Sequence, residues 1–450
     1  MAHSLPEDAY KKELSARAEA PYIIRREYNG CTVYRRCSHD YIPFDLDALS
    51  IFTACCDLDS EKDVQDFVAK TMGERVSPVS LRQFTLQCQD IGLITQDCKL
   101  AGHILDNNYV IGSNRSAPNR INLQLTRHCG FQCKHCWANA GTPRPDELSL
   151  SEIDSLFKQM SDMGCYYLNL EGGDYFEHKD FWKIISKAKK TYGFCVNLST
   201  NAVSVKKNVA ENLAELQVDS FCISLDAGTE KTSDIIYEDS SVYRKSGRGI
   251  RHLLETCNKS KIYFHSVINR NNSDIPSIIK RAEEFGVKEL VFDMAMPVGR
   301  AIMNPVTMNR EEMLKCIGVI KDSIRNHLIK IELIPYFPPR PKRRAFEGFG
   351  CECGNTSCFI ASDGSVYPSA LLSGMPDFKP IGNIRSQSLF KIWNEGFKRW
   401  RSYNPNEQCK NCRHYKICRG GCRTRSLIMN GSMRNADPCC SENSKGPMIK

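Results

Sequence analysis

The sequence predicts an α/β protein: a partial (β/α)6 TIM-like barrel with a winged-helix-like domain before it and a cysteine-rich domain after it. Three observations carry that expectation. From residue 119 onward, strand-like and helix-like patterns alternate through six units. Each strand-like run leads into a polar or glycine-rich stretch, and in a parallel βα sheet such stretches share one edge. Nine of the 23 cysteines fall between Cys351 and Cys440.

Composition sets the outer limits. A chain of 450 residues is long for one domain and fits two to four. Its hydrophobic fraction of 41% supports a sizeable core. Nowhere do 18 apolar residues run together, so no membrane span is expected. The first residues lack a basic region followed by an apolar run, which points to the cytoplasm. In that setting the cysteines read as metal or redox groups rather than disulfides. Cys165, Cys195, Cys222, Cys257 and Cys316 lie in apolar patterns and read as small core residues. A net charge of +9 is compatible with an acidic peptide or a nucleotide.

Residues 1–20 read as a polar tail and 21–95 as a compact block. Tyr22–Arg26 and Thr32–Arg35 read as strands joined at Asn29-Gly30, a strong hairpin signal. Tyr41–Phe44 is a possible third strand, and helical patterns follow near 46–56, 61–72 and 78–91. In the second helix Val64, Phe67, Val68 and Met72 form an apolar stripe. Residues 96–118 show no periodicity and read as a linker. A hairpin followed by three helices resembles a winged helix, which leaves DNA binding and peptide binding as readings. Arg25, Arg26, Arg35 and Arg36 fall on the strands rather than on a recognition helix, which argues against nucleic acid. By pattern and position the block is similar to the RiPP recognition element, which binds leader peptides of ribosomally made natural products as an added strand.

In the barrel region, 119–336, strands are expected near 121–126, 165–170, 194–199, 219–225, 261–268 and 288–293. Helices are expected near 149–163, 180–192, 203–216, 246–258, 274–285 and 309–326. Ser149 and Glu152 form a capping box on the first. After strand one stand Cys129, Cys133 and Cys136, at C-x3-C-x2-C spacing. Thiolates favour zinc, copper(I) or an iron–sulfur cluster. Zinc normally shows four ligands and paired C-x2-C knuckles; a cubane bound by three cysteines leaves one iron open.

This stretch resembles the cluster motif of radical S-adenosylmethionine (radical SAM) enzymes, with His135 where the family often has an aromatic residue. The later strand ends resemble that family in order. Gly172-Gly173-Asp174 is similar to its Gly-Gly-Glu motif, which binds the amino group of SAM, with Asp one methylene shorter. Glycines there would let the backbone approach the ligand. Ser199 and Asn201 fall where the family places ribose or carboxylate contacts. Ser224 and Asp226 fall in its strand-four motif. Pro297-Val298-Gly299-Arg300 resembles the last-strand motif beside adenine, with Val298 as a cofactor contact.

Residues 337–450 open on a proline-rich basic connector and continue with Cys351, Cys353, Cys358, then Cys409-x2-Cys412-x5-Cys418-x3-Cys422 and a late Cys440. The spacing resembles the SPASM domain, which holds two auxiliary 4Fe–4S clusters. By that resemblance Cys409, Cys412, Cys418 and Cys440 bind one cluster, and Cys422 joins Cys353 and Cys358 at the other. Cys439 and Cys351 leave one-position ambiguities. The family's Gly-x4-Cys reads here Gly364-x4-Ser369. That leaves an open iron, or one filled by Ser369, Cys351 or water.

The resemblance implies a radical SAM/SPASM peptide maturase with three 4Fe–4S clusters and S-adenosyl-L-methionine. Its partners would be a precursor peptide, with the leader held by the N-terminal domain, and a reductant such as flavodoxin or ferredoxin. A 5′-deoxyadenosyl radical would take hydrogen from the precursor, and the carbon radical would close a thioether or C–C crosslink. Epimerisation, backbone excision and protein-residue oxidation are the rival chemistries. The rival from another class is an iron–sulfur redox-sensing winged-helix regulator.

Overall fold

A computed structural model describes residues 20–27, 30–35, 41–105, 117–334 and 351–440. The N-terminal sheet holds β1 (Tyr22–Glu27), β2 (Gly30–Arg35), β3 (Tyr41–Phe44) and β4 (Gly102–Leu105) in the order β3-β2-β1-β4. β1 and β2 pair antiparallel, ending at Glu27 opposite Gly30. A Cβ on Gly30 would stand 1.9 Å from the Phe44 carbonyl oxygen, so only glycine lets β3 pass there. Asn29 lies outside the described residues. Helices α1 (Leu46–Asp57), α2 (Glu61–Met72) and α3 (Pro78–Asp90) start at Asp45, Ser60 and Ser77, whose side chains accept backbone N–H bonds.

β4 corrects the linker expectation. Gly102–Leu105 pairs in parallel with β1 and stands at the sheet edge. Four residues are too few for a period to show. Residues 106–116, also read as linker, lie outside the described residues.

The second sheet has ten strands in the order β11-β10-β9-β8-β7-β6-β5-β12-β13-β14. Its parallel run comprises β5 (Arg120–Gln124), β6 (Tyr167–Glu171), β7 (Cys195–Thr200), β8 (Ser220–Ser224), β9 (Lys261–Ile268), β10 (Glu289–Met294) and β11 (Lys330–Ile334). That is seven strands rather than the six expected. The extra one, Lys-Ile-Glu-Leu-Ile, carries charge on alternate positions while Ile331 and Leu333 are buried. Between the strands run α4 (Leu150–Asp162), α5 (Phe181–Ser186), α6 (Lys207–Glu215), α7 (Glu230–Tyr237), α8 (Val242–Thr256), α9 (Ile275–Glu284) and α10 (Arg310–Asn326). α7 was not expected; its eight residues are mostly polar.

Strand alternation divides the sheet into two faces. Ile121, Leu123, Leu168, Leu170, Val196, Leu198, Phe221 and Ile223 are buried in one core with the helices. The intervening positions carry polar groups. Asn197 donates to Asn169 at 2.6 Å, Asn169 to Asn122 at 3.2 Å, and Ser220 to Asn197 at 2.7 Å. The barrel lumen is therefore lined by hydrogen-bonding side chains rather than packed with aliphatic ones.

The C-terminal region is joined to this sheet. β12 (Ser357–Ile360) pairs in parallel with β5, and β13 (Ser365–Tyr367) and β14 (Gly382–Asn383) extend it. Trp393, Phe397 and Trp400 share the barrel's core. Glu152 completes the α4 capping box and also accepts from Arg385 at 2.6 Å. The Arg385 hydrogen bond and the Ser149 amide hold the Glu152 carboxyl at about 2.

Arg25, read as one of four basic residues on the strands, is fully buried. Its guanidinium bonds Glu27, the Asn119 side chain and the carbonyls of Pro118 and Gly164, so it locks the N-terminal sheet to the start of the barrel strands. Among the described residues no helix is long and apolar enough to cross a membrane.

Candidate active site and its sulfur sets

The loop after β5 brings Cys129, Cys133 and Cys136 together. Burial pushes the Cys129 and Cys133 thiols up, and negative charge on their neighbours pushes them further. Ionising all three therefore calls for a nearby positive charge, which a metal cluster would supply. Arg300 fixes the loop from outside. Its backbone N–H donates to the Cys136 carbonyl at 2.9 Å, and its guanidinium donates to the carbonyls of Cys133 (2.9 Å) and Ala140. Gly299, at φ 57°, lets this segment pass the loop, since a Cβ would meet the Trp137 carbonyl oxygen at 2.2 Å. Val298 is buried.

Gly172 and Gly173 have a role not foreseen in the sequence. A Cβ on Gly173 would lie 2.0 Å from the His128 carbonyl oxygen, and one on Gly172 would lie 2.5 Å from Gln124 Cγ. The pair lets the end of β6 pack on the cysteine loop, and the N–H groups of Gly173 and Asp174 bond the carbonyls of Thr126 and His128. The Asp174 carboxylate accepts from the Ser204 hydroxyl and the Phe176 N–H. Burial raises it, partly offset by those two donors.

Ser199 donates to Asn169 at 3.2 Å, and the Asn201 side chain accepts from the Val203 N–H at 3.0 Å. Ser224 ends β8. Asp226 is buried at the junction of three elements. Its carboxylate accepts from the Val267 N–H (2.7 Å) and the Tyr237 hydroxyl (2.9 Å), and stands 3.4 Å from His135 Nε2. Burial opposes its ionisation, yet His135 and these donors hold it below the usual carboxylate range. Asp226 thus orients His135 within the cysteine loop, and His135 Nδ1 is buried without a partner among the described residues.

The C-terminal cysteines form separate sets. Cys409, Cys412, Cys418 and Cys440 are neighbours. Burial, then the charge of Cys440, pushes Cys409 up to about 11 and Cys418 up to about 12. Cys439 instead points into the core, 4.0 Å from Met313 Sδ. Asp437 holds this turn, accepting from the N–H groups of Cys422 (2.7 Å) and Cys439 (3.0 Å) and from Arg425 (3.0 Å).

The Cys351 thiol hydrogen-bonds Cys353 and Cys422; the Cys353 bond and burial push it up to about 12, against the lowering effect of the Cys422 bond. Cys358 lies apart from that trio in its surroundings. It is buried on β12 beside Cys165 and Arg401, and burial pushes its thiol up. Ser369 precedes the short helix Ala370–Ser373, and its side chain makes no capping bond. Among the described residues, no three Cys, His, Asp or Glu side chains converge on one point where a single ion would sit. In a cubane each thiolate binds a different iron, so a cluster does not require its cysteines to converge on one point.

Sequence reasoning missed Arg300 as a clamp, Asp437 as an anchor and Arg401 as a buried cation. It also missed Glu171, at the end of β6, whose carboxyl burial pushes up to about 7 against the opposing charge of Arg120.

These features define an enzyme class that works on S-adenosylmethionine with iron–sulfur clusters. The radical SAM superfamily model matches residues 123–297, and the SPASM iron–sulfur cluster-binding domain matches residues 351–413. The chain is a radical SAM/SPASM enzyme. It is 28% identical over 347 residues to an AdoMet-dependent heme synthase of Oleidesulfovibrio alaskensis, covering 71% of this chain and 86% of that protein. To the mycofactocin maturase MftC of Mycobacterium tuberculosis it is 25% identical over 343 residues, covering 74% and 85%. Its fold is similar to that of Streptococcus suis SuiB bound to its precursor peptide SuiA, with a TM-score of 0.66 at 15% identity, covering 93% of this chain and 98% of that one.

Proposed function

We propose that this enzyme modifies a ribosomally made precursor peptide and closes a thioether or C–C crosslink within it. The observation that carries the peptide reading is the N-terminal block. It is a separate sheet with its own core, locked to the barrel through Arg25, and its edge strands are β3 and β4. A cleft of about 470 Å³ runs along β4, lined by Arg26, Thr53, Cys56, Asp57 and Gly102 to Leu105. Strand addition at such an edge gives sequence-tolerant affinity, with nearby pockets adding specificity. The likeness to SuiB, solved with its precursor peptide, and the similarity to a mycofactocin maturase support a peptide substrate.

Three 4Fe–4S clusters fit the sulfur sets. Cys129, Cys133 and Cys136 would hold the first. Cys409, Cys412, Cys418 and Cys440 would hold another. Cys353, Cys358 and Cys422 would hold the third, with Cys351 placed to serve as a further ligand. SAM and the first cluster, when bound and reduced by a flavodoxin or ferredoxin, supply a 5′-deoxyadenosyl radical. The protein's own residues bind and orient. Arg300 and the Gly172-Gly173 turn fix the loop, and Asp226 sets the His135 ring. Asp174, Ser199, Asn201, Ser224 and Val298 border the space offered to SAM. Glu171, whose carboxyl burial pushes up to about 7, is partly protonated near neutral pH at the end of β6 on the lumen face. Cys351 beside Cys353 and Cys422 weakens the case for an open iron at Ser369, which would otherwise favour a thioether.

The test is anaerobic incubation of the reconstituted enzyme, SAM and dithionite with a short peptide encoded beside its gene. A crosslink removes two hydrogens: one goes to 5′-deoxyadenosine, and the other leaves as a proton with its electron passed to an auxiliary cluster. Unchanged mass with an inverted residue would mean epimerisation. Loss of a backbone fragment would mean excision. DNA binding with no peptide turnover would favour the regulator.

A further inference from the structure

The C-terminal domain contains buried donors that the described protein leaves unsatisfied. Arg401 ends the short helix Lys398–Arg401, its guanidinium 4.2 Å from the Trp393 ring centroid. Its Nε donates to the Gly354 carbonyl at 2.8 Å. Nη1 and Nη2 are buried and have no acceptor among the described residues. The guanidinium is held against the Cys353-Gly354 turn and acts electrostatically on Cys358. In that turn the Cys353 carbonyl accepts from Trp400 Nε1 at 2.8 Å. Desolvation pulls Arg401 down to about 10, the mark of a cation buried without a counter-charge.

Tyr403 repeats the pattern. Its hydroxyl is buried without a partner among the described residues. A Cβ on Gly420, between Cys418 and Cys422 in the chain, would stand 2.6 Å from its oxygen; Cys409, Cys418 and Cys351 all act on it, and Arg423 lies 4.5 Å over its ring. A buried unsatisfied donor costs about 1–3 kcal/mol, more if charged. Three such atoms among the C-terminal cysteines call for an acceptor, and metal-bound thiolates and sulfides accept hydrogen bonds.

We propose that Arg401 and Tyr403 are positioning residues that donate hydrogen bonds to the sulfurs of the auxiliary clusters and raise their reduction potential. This rests on the reading that the C-terminal sulfur sets hold clusters. The physical reason is charge. Reduction adds an electron to an already anionic cluster, and a cation with N–H and O–H donors at the sulfurs stabilises that added charge. A cluster tuned in this way is a better acceptor for the electron released when a substrate radical is oxidised.

The experiment uses the full chain with Cys129, Cys133 and Cys136 all changed to Ala, reconstituted anaerobically so that its remaining iron is in the C-terminal domain. Iron is counted first. A chain with no C-terminal iron overturns the cluster reading and this proposal with it. With iron present, midpoint potentials are read by mediated titration with electron resonance detection. Arg401→Met should lower the potential of one cluster with iron content retained, Arg401→Lys should restore part of it, and Tyr403→Phe should give a smaller downward shift. Unchanged potentials in iron-loaded Arg401→Met mean that water satisfies the guanidinium, and the proposal fails. If Arg401→Met loses its iron, Arg401→Lys and Tyr403→Phe decide: unshifted potentials in both overturn it.

Discussion

The cysteine loop after β5 and the sulfur sets after β12 use the same ligand atom in different settings. The loop is gripped through its backbone, with Arg300 on the carbonyls of Cys133, Cys136 and Ala140. The C-terminal sets are embedded among side chains, with Arg401, Tyr403, Arg423 and Arg425 around them. Gripping the carbonyls leaves the sulfur side clear for a small molecule. Placing cations near the sulfurs instead tunes the charge they carry. On the proposed function, one region reacts and the other holds electrons.

The comparison breaks most sharply if the two regions are not independent. Changing Cys129, Cys133 and Cys136 together to Ala should abolish 5′-deoxyadenosine formation while C-terminal iron remains. Loss of all iron would show that the regions assemble as one unit. Next in size is Asp437→Ala. It removes the acceptor for the Cys422 and Cys439 amides and strands the buried Arg425, a loss of about 3–5 kcal/mol for a broken buried pair. Calorimetry should show a lower melting temperature and iron analysis a C-terminal deficit, with the first cluster still assembled. Arg300→Met comes third. Losing charged hydrogen bonds of about 1.5–3 kcal/mol should slow SAM cleavage roughly 10- to 100-fold and leave C-terminal iron intact. An undiminished rate would mean that the loop holds its shape without the clamp.

How much of this the sequence revealed followed the same divide. The barrel was legible because long helices and buried strands carry strong periods. Ile153, Leu156, Phe157 and Met160 on α4 are an example: all four are buried. β4 and α7 are too short or too polar to announce themselves, and β11 is five residues with charges between its apolar positions. Cysteine spacing pointed to the loop because its three sulfurs are close in sequence. It could not show that Cys358 faces Arg401 or that Cys439 turns to Met313, because those neighbours come from distant segments. Gly172-Gly173 was read as a ligand contact, and the fold adds a separate demand, since both glycines are required by the loop's own backbone. A motif names the residues that must be present; which neighbour demands them is settled only in three dimensions.

The smallest expected effect tests the reactive side of the comparison. Glu171 sits at the end of β6 on the lumen face, and burial raises its carboxyl from 4.5 to about 7. Between those two values the folded chain binds a proton that the unfolded chain has released. Stability from this group therefore falls as pH rises through the window and levels off above about 7. Glu171→Gln keeps the shape and removes the titration. From pH 6 to pH 8 the variant should gain on the parent by about 1 kcal/mol, since one pKa unit corresponds to 1.36 kcal/mol. Denaturant unfolding of the two proteins side by side measures it. A constant difference across that range would show that water already solvates the carboxylate in the folded lumen. The lumen would then be a solvated channel beside the cysteine loop, and a peptide bound there would have to displace that water before its C–H bond could be shielded.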